Sequence, residues 1–253
     1  MGNFIPICGI DDIKLNPIFL IQIIFNMKKN LFPFCLAIFL SASTVHAQDC
    51  AQYLFLQNGK TIEVSVYNKK GDPNGRNVYS VSNVTTGGGT TSGQLASEIF
   101  DKKGKSVGKA TSVIKCTGGV MLIDMKLMLP QQQAEQFNNA EVKANDGLLE
   151  YPVAMNVGDA LKDGSFNMDM NNRGMVQTLT MVINNRKVEA QESVTTTAGT
   201  WNCYKISFKS KITVKTGPIG IPFSFEGTEW YAPGVGIVKT ENKYGSTAVT
   251  SIK

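Results

Sequence analysis

The sequence predicts an all-β protein: one strongly curved antiparallel sheet, or a barrel-like closure of it, with about ten to twelve strands and one short helix. Two observations support this prediction. Apolar and polar residues alternate along most of the chain after Cys50, as in strands with one buried and one solvent-facing side. Segments rich in Asn, Asp and Gly separate the alternating runs, as expected for hairpin turns.

Five segments show the alternation most clearly. Their apolar positions are Ile62, Val64 and Val66; Met121, Ile123, Met125, Leu127 and Leu129; Leu179, Met181 and Ile183; Tyr204, Ile206 and Phe208; and Ile212 and Val214. Each set points to one face of a strand because the side-chain period of a strand is two. We therefore expect these residues to face the interior of the sheet.

The remaining segments are predicted as turns, loops or the short helix. Asn184-Asn185 has the composition of a turn. Residues 85–93 are rich in glycine and are predicted as a mobile loop, and residues 217–222 as an unusually apolar loop. The helix is expected at residues 130–137, where a proline can occupy the first turn.

The front of the chain has the pattern of a secretory signal peptide. Residues 27–47 contain a basic head, the apolar run 31–40 and the small-residue exit Val45-His46-Ala47. We interpret residues 1–26 as an upstream extension from a start codon assigned too early, although a long or doubled targeting segment is the alternative. Neither apolar stretch reaches the roughly 20 residues of a membrane anchor. Residues 48–253 are thus expected to form a single β domain, periplasmic or secreted, without a stable membrane anchor.

The composition argues against several chemistries. The chain has one histidine, His46, and cleavage after Ala47 would remove it. Without histidine, a Ser-His-Asp or Cys-His mechanism and the commonest zinc sites cannot be built. The net charge of +5 comes from scattered lysines, which is typical of a solvated surface and not of nucleic-acid binding. We therefore expect a non-enzymatic protein without a cofactor or bound metal.

Three cysteines would remain after cleavage: Cys50, Cys116 and Cys203. In an oxidising compartment two of them could pair and leave one thiol. A Cys50–Cys116 disulfide would tie the N-terminal tail to the end of a strand. Cys203 shares the alternation of Lys205, Ser207 and Lys209, which weakly favours it as the unpaired thiol; a small packed residue is the simpler interpretation.

A set of flexible apolar side chains could face a ligand. Methionines suit pockets for irregular apolar molecules such as acyl chains, and the apolar segment 217–222 could act as a lid. The candidate ligand-facing residues are Met121, Met125, Met175, Met181, Ile219, Ile221 and Phe223. The favoured alternative is that the methionines fill an irregular curved core.

Two strings near the C-terminus carry distinctive motifs. Residues 194–204 contain Ala198-Gly199 before an aromatic residue and a cysteine. Residues 228–239 contain the most distinctive motif, Trp230, Pro233, Gly234 and Gly236. These strings resemble those of the TapB-like family of secreted bacterial β proteins. The resemblance extends to Cys50, Cys116 and the turn at residues 101–105, and it departs at Thr197, where the family usually has proline. It implies a curved antiparallel sheet outside the cytosol and provides no catalytic residue.

Three functions are consistent with these observations. The first is a non-enzymatic binding or carrier module for an apolar or lipid-like ligand on the concave sheet face. The second is a structural or adhesion-related accessory protein that binds a partner protein. A carboxylate-based hydrolase is the third and least favoured. A hollow concave face would favour the first function, and a packed interior with exposed aromatic or isoleucine patches would favour the second.

Overall fold

The computed structural model describes residues 50–129, 141–144, 147–172 and 175–253. The segments expected to be a signal peptide and an upstream extension, residues 1–47, lie outside the described residues, as does the helix predicted at residues 130–137. In the described part of the chain, no helix is long and apolar enough to cross a membrane.

The described residues form thirteen strands and three short 3-10 helices, which confirms the all-β prediction. The 3-10 helices are Cys50–Gln52, Leu54–Leu56 and Met125–Met128. The strands are β1 Thr61–Asn68, β2 Pro73–Gly87, β3 Thr90–Asp101, β4 Ser106–Thr117, β5 Val120–Asp124, β6 Glu141–Ala144, β7 Leu148–Pro152, β8 Gly164–Asn172, β9 Met175–Thr196, β10 Gly199–Thr216, β11 Ile219–Ala232, β12 Gly236–Asn242 and β13 Gly245–Ile252.

All strands belong to one antiparallel sheet in the order β6-β8-β9-β10-β11-β12-β13-β1-β2-β3-β4-β5-β7. The last strand, β13, pairs with the first, β1, so the sheet continues from the C-terminus to the N-terminal half. The two sides of the sheet meet at β8, the second strand of the order, and β7, the last: a Cβ added at Gly164 of β8 would lie 2.5 Å from Cδ1 of Leu149 in β7. The sheet is therefore nearly closed into a barrel.

Three segments predicted as loops or turns belong to long strands instead. Residues 85–93 continue β2 and β3 through a turn at Gly88-Gly89, where both glycines have positive φ, +57° and +75°. Residues 217–222 form a turn only at Gly217-Pro218, and β11 begins at Ile219. Asn184-Asn185 lies inside β9 and forms an irregularity in its pairing with β10. Cross-strand hydrogen bonds and packing therefore outweighed the local preference for turns.

The interior of the barrel is packed with aliphatic, aromatic and methionine side chains. Met121, Met125 and Met181 are almost completely buried in this core, together with Leu95 and Leu179. An N-terminal strap, residues 50–56, joins the same core through Tyr53 and Leu56. Met121, Met125 and Met181 are therefore part of the packed core.

Candidate functional site

β10 and β11 form the long hairpin on which both notable regions of the molecule lie. They pair without a register shift from Tyr204 opposite Tyr231 to Thr216 opposite Ile219. Because alternate residues of a strand share a face, Ile221, Phe225 and Glu229 all point to the inner face of β11. Residues from the buried interior and residues from the exposed end of the hairpin therefore share a single face.

A charged network occupies the interior at Glu229. The carboxylate of Glu229 is 3.4 Å from Nη2 of Arg186, and both side chains are almost fully buried. The Arg186 Nη1 donates to the carbonyl oxygens of Glu150 (2.9 Å) and Lys162 (3.0 Å). Arg186 in β9 therefore links β11 to β7, the strand at one end of the sheet, and stabilises the closure of the barrel.

Two tyrosines complete this network. The hydroxyl of Tyr151 donates to Glu229, 3.0 Å from each carboxylate oxygen. Its ring stacks on Tyr231 with 4.7 Å between centroids. The Arg186 guanidinium forms a cation–π contact with the same ring, 4.5 Å from the centroid of Tyr151. The buried negative charge thus has a cationic partner and a hydroxyl donor, as buried charges require.

An irregularity in β9 directs Arg186 inward. Lys187 is opposite Ser207 and Asn184 opposite Lys209, so Asn185 and Arg186 together face the single residue Phe208. Asn185 has a φ of +52°, a conformation that asparagine tolerates better than most residues. Strict alternation from Ile183 would have pointed Lys187 inward; the extra residue of the bulge shifts the pattern by one and buries Arg186 instead.

Burial governs the protonation of the network. It raises the pKa of Glu229 above the ordinary carboxyl value, although Arg186 and the Tyr151 hydroxyl act in the opposite direction. Burial, followed by the charge of Glu229, holds the pKa of Tyr151 well above its usual range. Tyr151 therefore stays protonated and acts as a hydrogen-bond donor.

The N-terminal strap closes over this network. Cys50 is joined to Cys116 of β4 by a disulfide with a Cα–Cα distance of 5.7 Å. Tyr231 donates a hydrogen bond to the Tyr53 hydroxyl at 3.3 Å, and the amide of Leu54 donates to the Gly234 carbonyl at 3.0 Å. The strap therefore helps to enclose Tyr231 and the buried network beside it.

The other end of the hairpin presents apolar side chains to solvent. Ile219 and Ile221 are 67% and 69% exposed. Phe223 packs against Tyr244, from the turn between β12 and β13, with 5.0 Å between ring centroids. We call Ile219, Ile221, Phe223 and Tyr244 the rim. Phe225 lies beneath it, 5.6 Å from Phe223, and continues the rim into the buried core.

Three of the predicted ligand-facing residues are not methionines, and all three belong to the rim. Ile219 and Ile221 are exposed and Phe223 is half-buried. Met121, Met125 and Met181 instead lie in the packed core, and the side chain of Met175 lies outside the described residues. Ile219 and Ile221 are therefore exposed to solvent, whereas Phe223 packs against the core that contains the methionines.

The motif residues shape the wall of the barrel and its contact with the strap. Trp230 points to the outer face, where the ammonium groups of Lys205 and Lys239 lie 5.5 and 4.6 Å from its ring centroid. Pro233 and Gly234 form the turn after β11, and Gly234 has a φ of +79°. Gly236 leaves room for Phe55 of the strap, because a Cβ there would lie 3.3 Å from that ring.

Cys203 is a free, buried thiol. Burial, and secondly the charge of Glu192, raises its pKa to about 11, so the reactive thiolate is scarce at neutral pH. The pairing of Cys203 with Glu192 and of Lys205 with Trp230 places it on the outer face with Lys205, as the alternation predicts. In the described part of the chain, no group of three His, Cys, Asp or Glu residues could hold a metal ion.

Sequence reasoning missed Arg186, Glu229, Tyr151 and Tyr244. Glu229 had a detectable signal, since it shares the alternation of the aromatic residues Phe225 and Tyr231. Arg186 had none, because its orientation depends on the bulge. Tyr244 meets the rim only through the turn between β12 and β13.

Comparison with known proteins agrees with this architecture. The family model described as DUF3108-like matches residues 57–252. A Bacteroides fragilis protein described as exported, with a YmcC-like fold, is 22% identical; the match covers 78% of this chain and 96% of that one, with a TM-score of 0.65. A Parabacteroides distasonis protein described as a lipoprotein is 24% identical over 81% of this chain and 100% of that one, with a TM-score of 0.66. No curated protein matches the sequence. The chain belongs to the DUF3108-like family.

Proposed function

We propose that this protein is an exported, non-enzymatic binding module that recognises an apolar or lipid-like ligand through its rim, in the periplasm or outside the cell. One observation carries the proposal: the inner, apolar face of β10 and β11 continues beyond the packed core and becomes exposed at Ile219 and Ile221. Isolated exposed apolar residues are common, but two isoleucines beside a pair of contacting aromatic rings form a patch, which marks an interaction site. The chain belongs to the DUF3108-like family, and its resemblance to the TapB-like proteins stays a prediction.

The packed interior changes the form of the carrier hypothesis. With Met121 and Met125 enclosed by the core, an acyl chain has no hollow concave face to enter at these positions. The rim could instead hold part of a hydrophobic molecule against Phe223 and Tyr244. A non-enzymatic role fits the enclosure of Glu229, whose carboxylate is occupied by Arg186 and Tyr151.

Binding of a fluorescent fatty-acid analogue tests this proposal. We expect saturable binding by the purified exported protein, with affinity reduced about tenfold or more in I219S/I221S, since each substitution removes exposed apolar area. V157S is the matched control, because Val157 is 61% exposed and lies outside the hairpin. Native mass spectrometry before and after delipidation would identify any co-purifying hydrophobic molecule. Absent binding, or equal loss in the control, would reject the proposal.

The packed interior also supports a second candidate, binding of a partner protein through the same rim. A protein partner would bury the isoleucines and rings without entering the barrel. This candidate predicts that the fatty-acid analogue does not bind and that I219S/I221S weakens a complex recovered by crosslinking from the native compartment.

A further inference from the structure

The rim lies at the tip of the hairpin, where the charges all have one sign. Between Ser210 and Phe225 the chain contains Lys211 and Lys215 and no Asp or Glu. Lys211 is opposite Ser224 and Lys215 opposite Gly220, so both lysines lie on the outer face of the hairpin. Their side chains are exposed and form no ion pair with the described residues.

A third lysine lies beside the rim from another turn. The ammonium of Lys243 donates to the carbonyl oxygen of Ser224 at 3.1 Å and is 5.1 Å from the Tyr244 ring centroid. Lys211 and Lys243 therefore flank Ser224, one from the paired strand and one from the turn between β12 and β13. The nearest acidic residue along β11, Glu226, already pairs with Lys209 at 2.9 Å.

The hairpin is thus amphipathic along its whole exposed length. Ile219, Ile221 and Phe223 share one face with Val214, while the lysines occupy the other face and the base. Binding to a lipid surface needs two components. Exposed apolar side chains enter the boundary of headgroups and acyl chains, and neighbouring lysines contact anionic headgroups. Long lysine side chains can reach the headgroups while their stems remain on the apolar surface.

On this basis we propose that the rim docks the protein peripherally on an anionic lipid bilayer, with Ile219 and Ile221 entering the interfacial layer and Lys211, Lys215 and Lys243 contacting lipid phosphates. The inference rests on the proposed function, because it assigns a partner to the same rim. The cationic charge of the tip favours an anionic lipid surface. A protein strand added to the edge of β11 is disfavoured, because Pro222 within that strand has no N–H to donate.

Cosedimentation with vesicles tests the inference. The exported protein would be incubated with vesicles of phosphatidylcholine alone and with vesicles containing about a third phosphatidylglycerol. We expect binding to the anionic vesicles only, weakened by added salt. K211E/K215E should abolish it, because each lysine contributes about fivefold to the partition and its reversal to glutamate squares that factor to about 25-fold. I219S/I221S should reduce it about tenfold or more.

Two matched controls separate site-specific effects from general ones. K102E/K103E changes the net charge by the same amount at an exposed turn between β3 and β4, and V157S removes an apolar side chain that is 61% exposed. Both should retain vesicle binding within about twofold, the charge variant losing only what long-range attraction contributes.

Each other outcome overturns the inference in a recognisable way. Equal binding to neutral and anionic vesicles would show that the lysines do not contact lipid phosphates. An equal loss of vesicle binding in the control variants would show that binding does not depend on the rim. If vesicles do not bind but the fatty-acid analogue does, the proposed function stands and bilayer docking is wrong. If neither binds, both fail. A dimer that dissociates in I219S/I221S would show that a second copy of the chain covers the rim.

Discussion

On β11, a glutamate lies inside the protein and an isoleucine lies outside it, on the same face of the same strand. Glu229 is 1% exposed and Ile221 is 69% exposed, the reverse of what their side chains prefer. The difference arises from where the barrel closes. At Glu229, β7, β9 and the N-terminal strap enclose the inner face, whereas the hairpin extends beyond β12, which pairs only with Gly227–Ala232.

This comparison shows that the two residues are informative for different reasons. A buried charge is costly unless its partners are supplied, so Glu229 depends on Arg186 and Tyr151 and reports on the integrity of the closed barrel. An exposed apolar group costs the fold little, so Ile221 reports on what the surface contacts. Substitutions in the interior should therefore change stability, and substitutions in the rim should change binding.

The largest expected effect comes from separating the buried ion pair. R186M leaves the Glu229 carboxylate buried without its cation, and E229Q leaves the Arg186 guanidinium without its anion; each should lower the free energy of unfolding by about 3–5 kcal/mol. R186M/E229Q removes both charges, so its cost should be smaller than the sum of the single costs by about 2 kcal/mol or more. Urea unfolding measures all three; strict additivity would show that the two charges do not stabilise each other.

Removal of the disulfide should have the next largest effect. C50S/C116S frees the strap, which the bond connects across a sequence separation of 66 residues, and should lower the free energy of unfolding by about 2–4 kcal/mol. We also expect faster hydrogen exchange in the strap than in β10, since the strap has few backbone hydrogen bonds to hold it. An unchanged unfolding midpoint would mean that packing of Tyr53 and Leu56 alone holds the strap.

The pH dependence of stability should reveal the raised pKa of Glu229. The folded protein binds the proton of Glu229 more tightly than the unfolded chain does. Protonation of Glu229 therefore stabilises the fold, and this stabilisation is fully present below the ordinary carboxyl pKa of 4.5. It is lost as the pH rises through the higher folded pKa. The stability of the wild type relative to E229Q should therefore decrease with rising pH across this window. An opposite slope in denaturant titrations would mean that Arg186 outweighs burial and lowers the pKa.

The smallest expected effect on stability is that of the rim. I219S/I221S should change the free energy of unfolding by no more than about 0.5 kcal/mol, because both side chains are already exposed in the folded state. Thermal unfolding followed by circular dichroism would measure this change. A loss of several kcal/mol would show that the isoleucines support the core, and the contrast between interior and rim would disappear.

Much of the fold followed from local patterns. The alternation at Ile62, Leu179 and Ile212 correctly predicted inward-facing positions, because antiparallel strands with one buried side need apolar residues at every second position. Three expected loops proved to be strand. At Gly88-Gly89 and Gly217-Pro218 only the turn itself departs from strand geometry, and flanking residues gain hydrogen bonds from neighbouring strands.

The candidate site was predicted only in part, for an equally physical reason. The sequence identified Ile219, Ile221 and Phe223 as unusual because they form an apolar segment next to glycine and proline. It could not separate them from Met121, since exposure depends on which strands cover a face, and this is set by pairings distant in sequence. Tyr244 joined the rim through such a distant contact.

By itself, the sequence determined the fold class, the composition of the core and the absence of histidine after residue 46, because these depend on residue type and period alone. Only the tertiary structure decided that Arg186 points inward to meet Glu229 and that the hairpin tip extends beyond β12. Both features depend on a single bulge residue and on unequal strand lengths. Their effect appears only when the sheet closes on itself and brings strands that are far apart in the chain into contact.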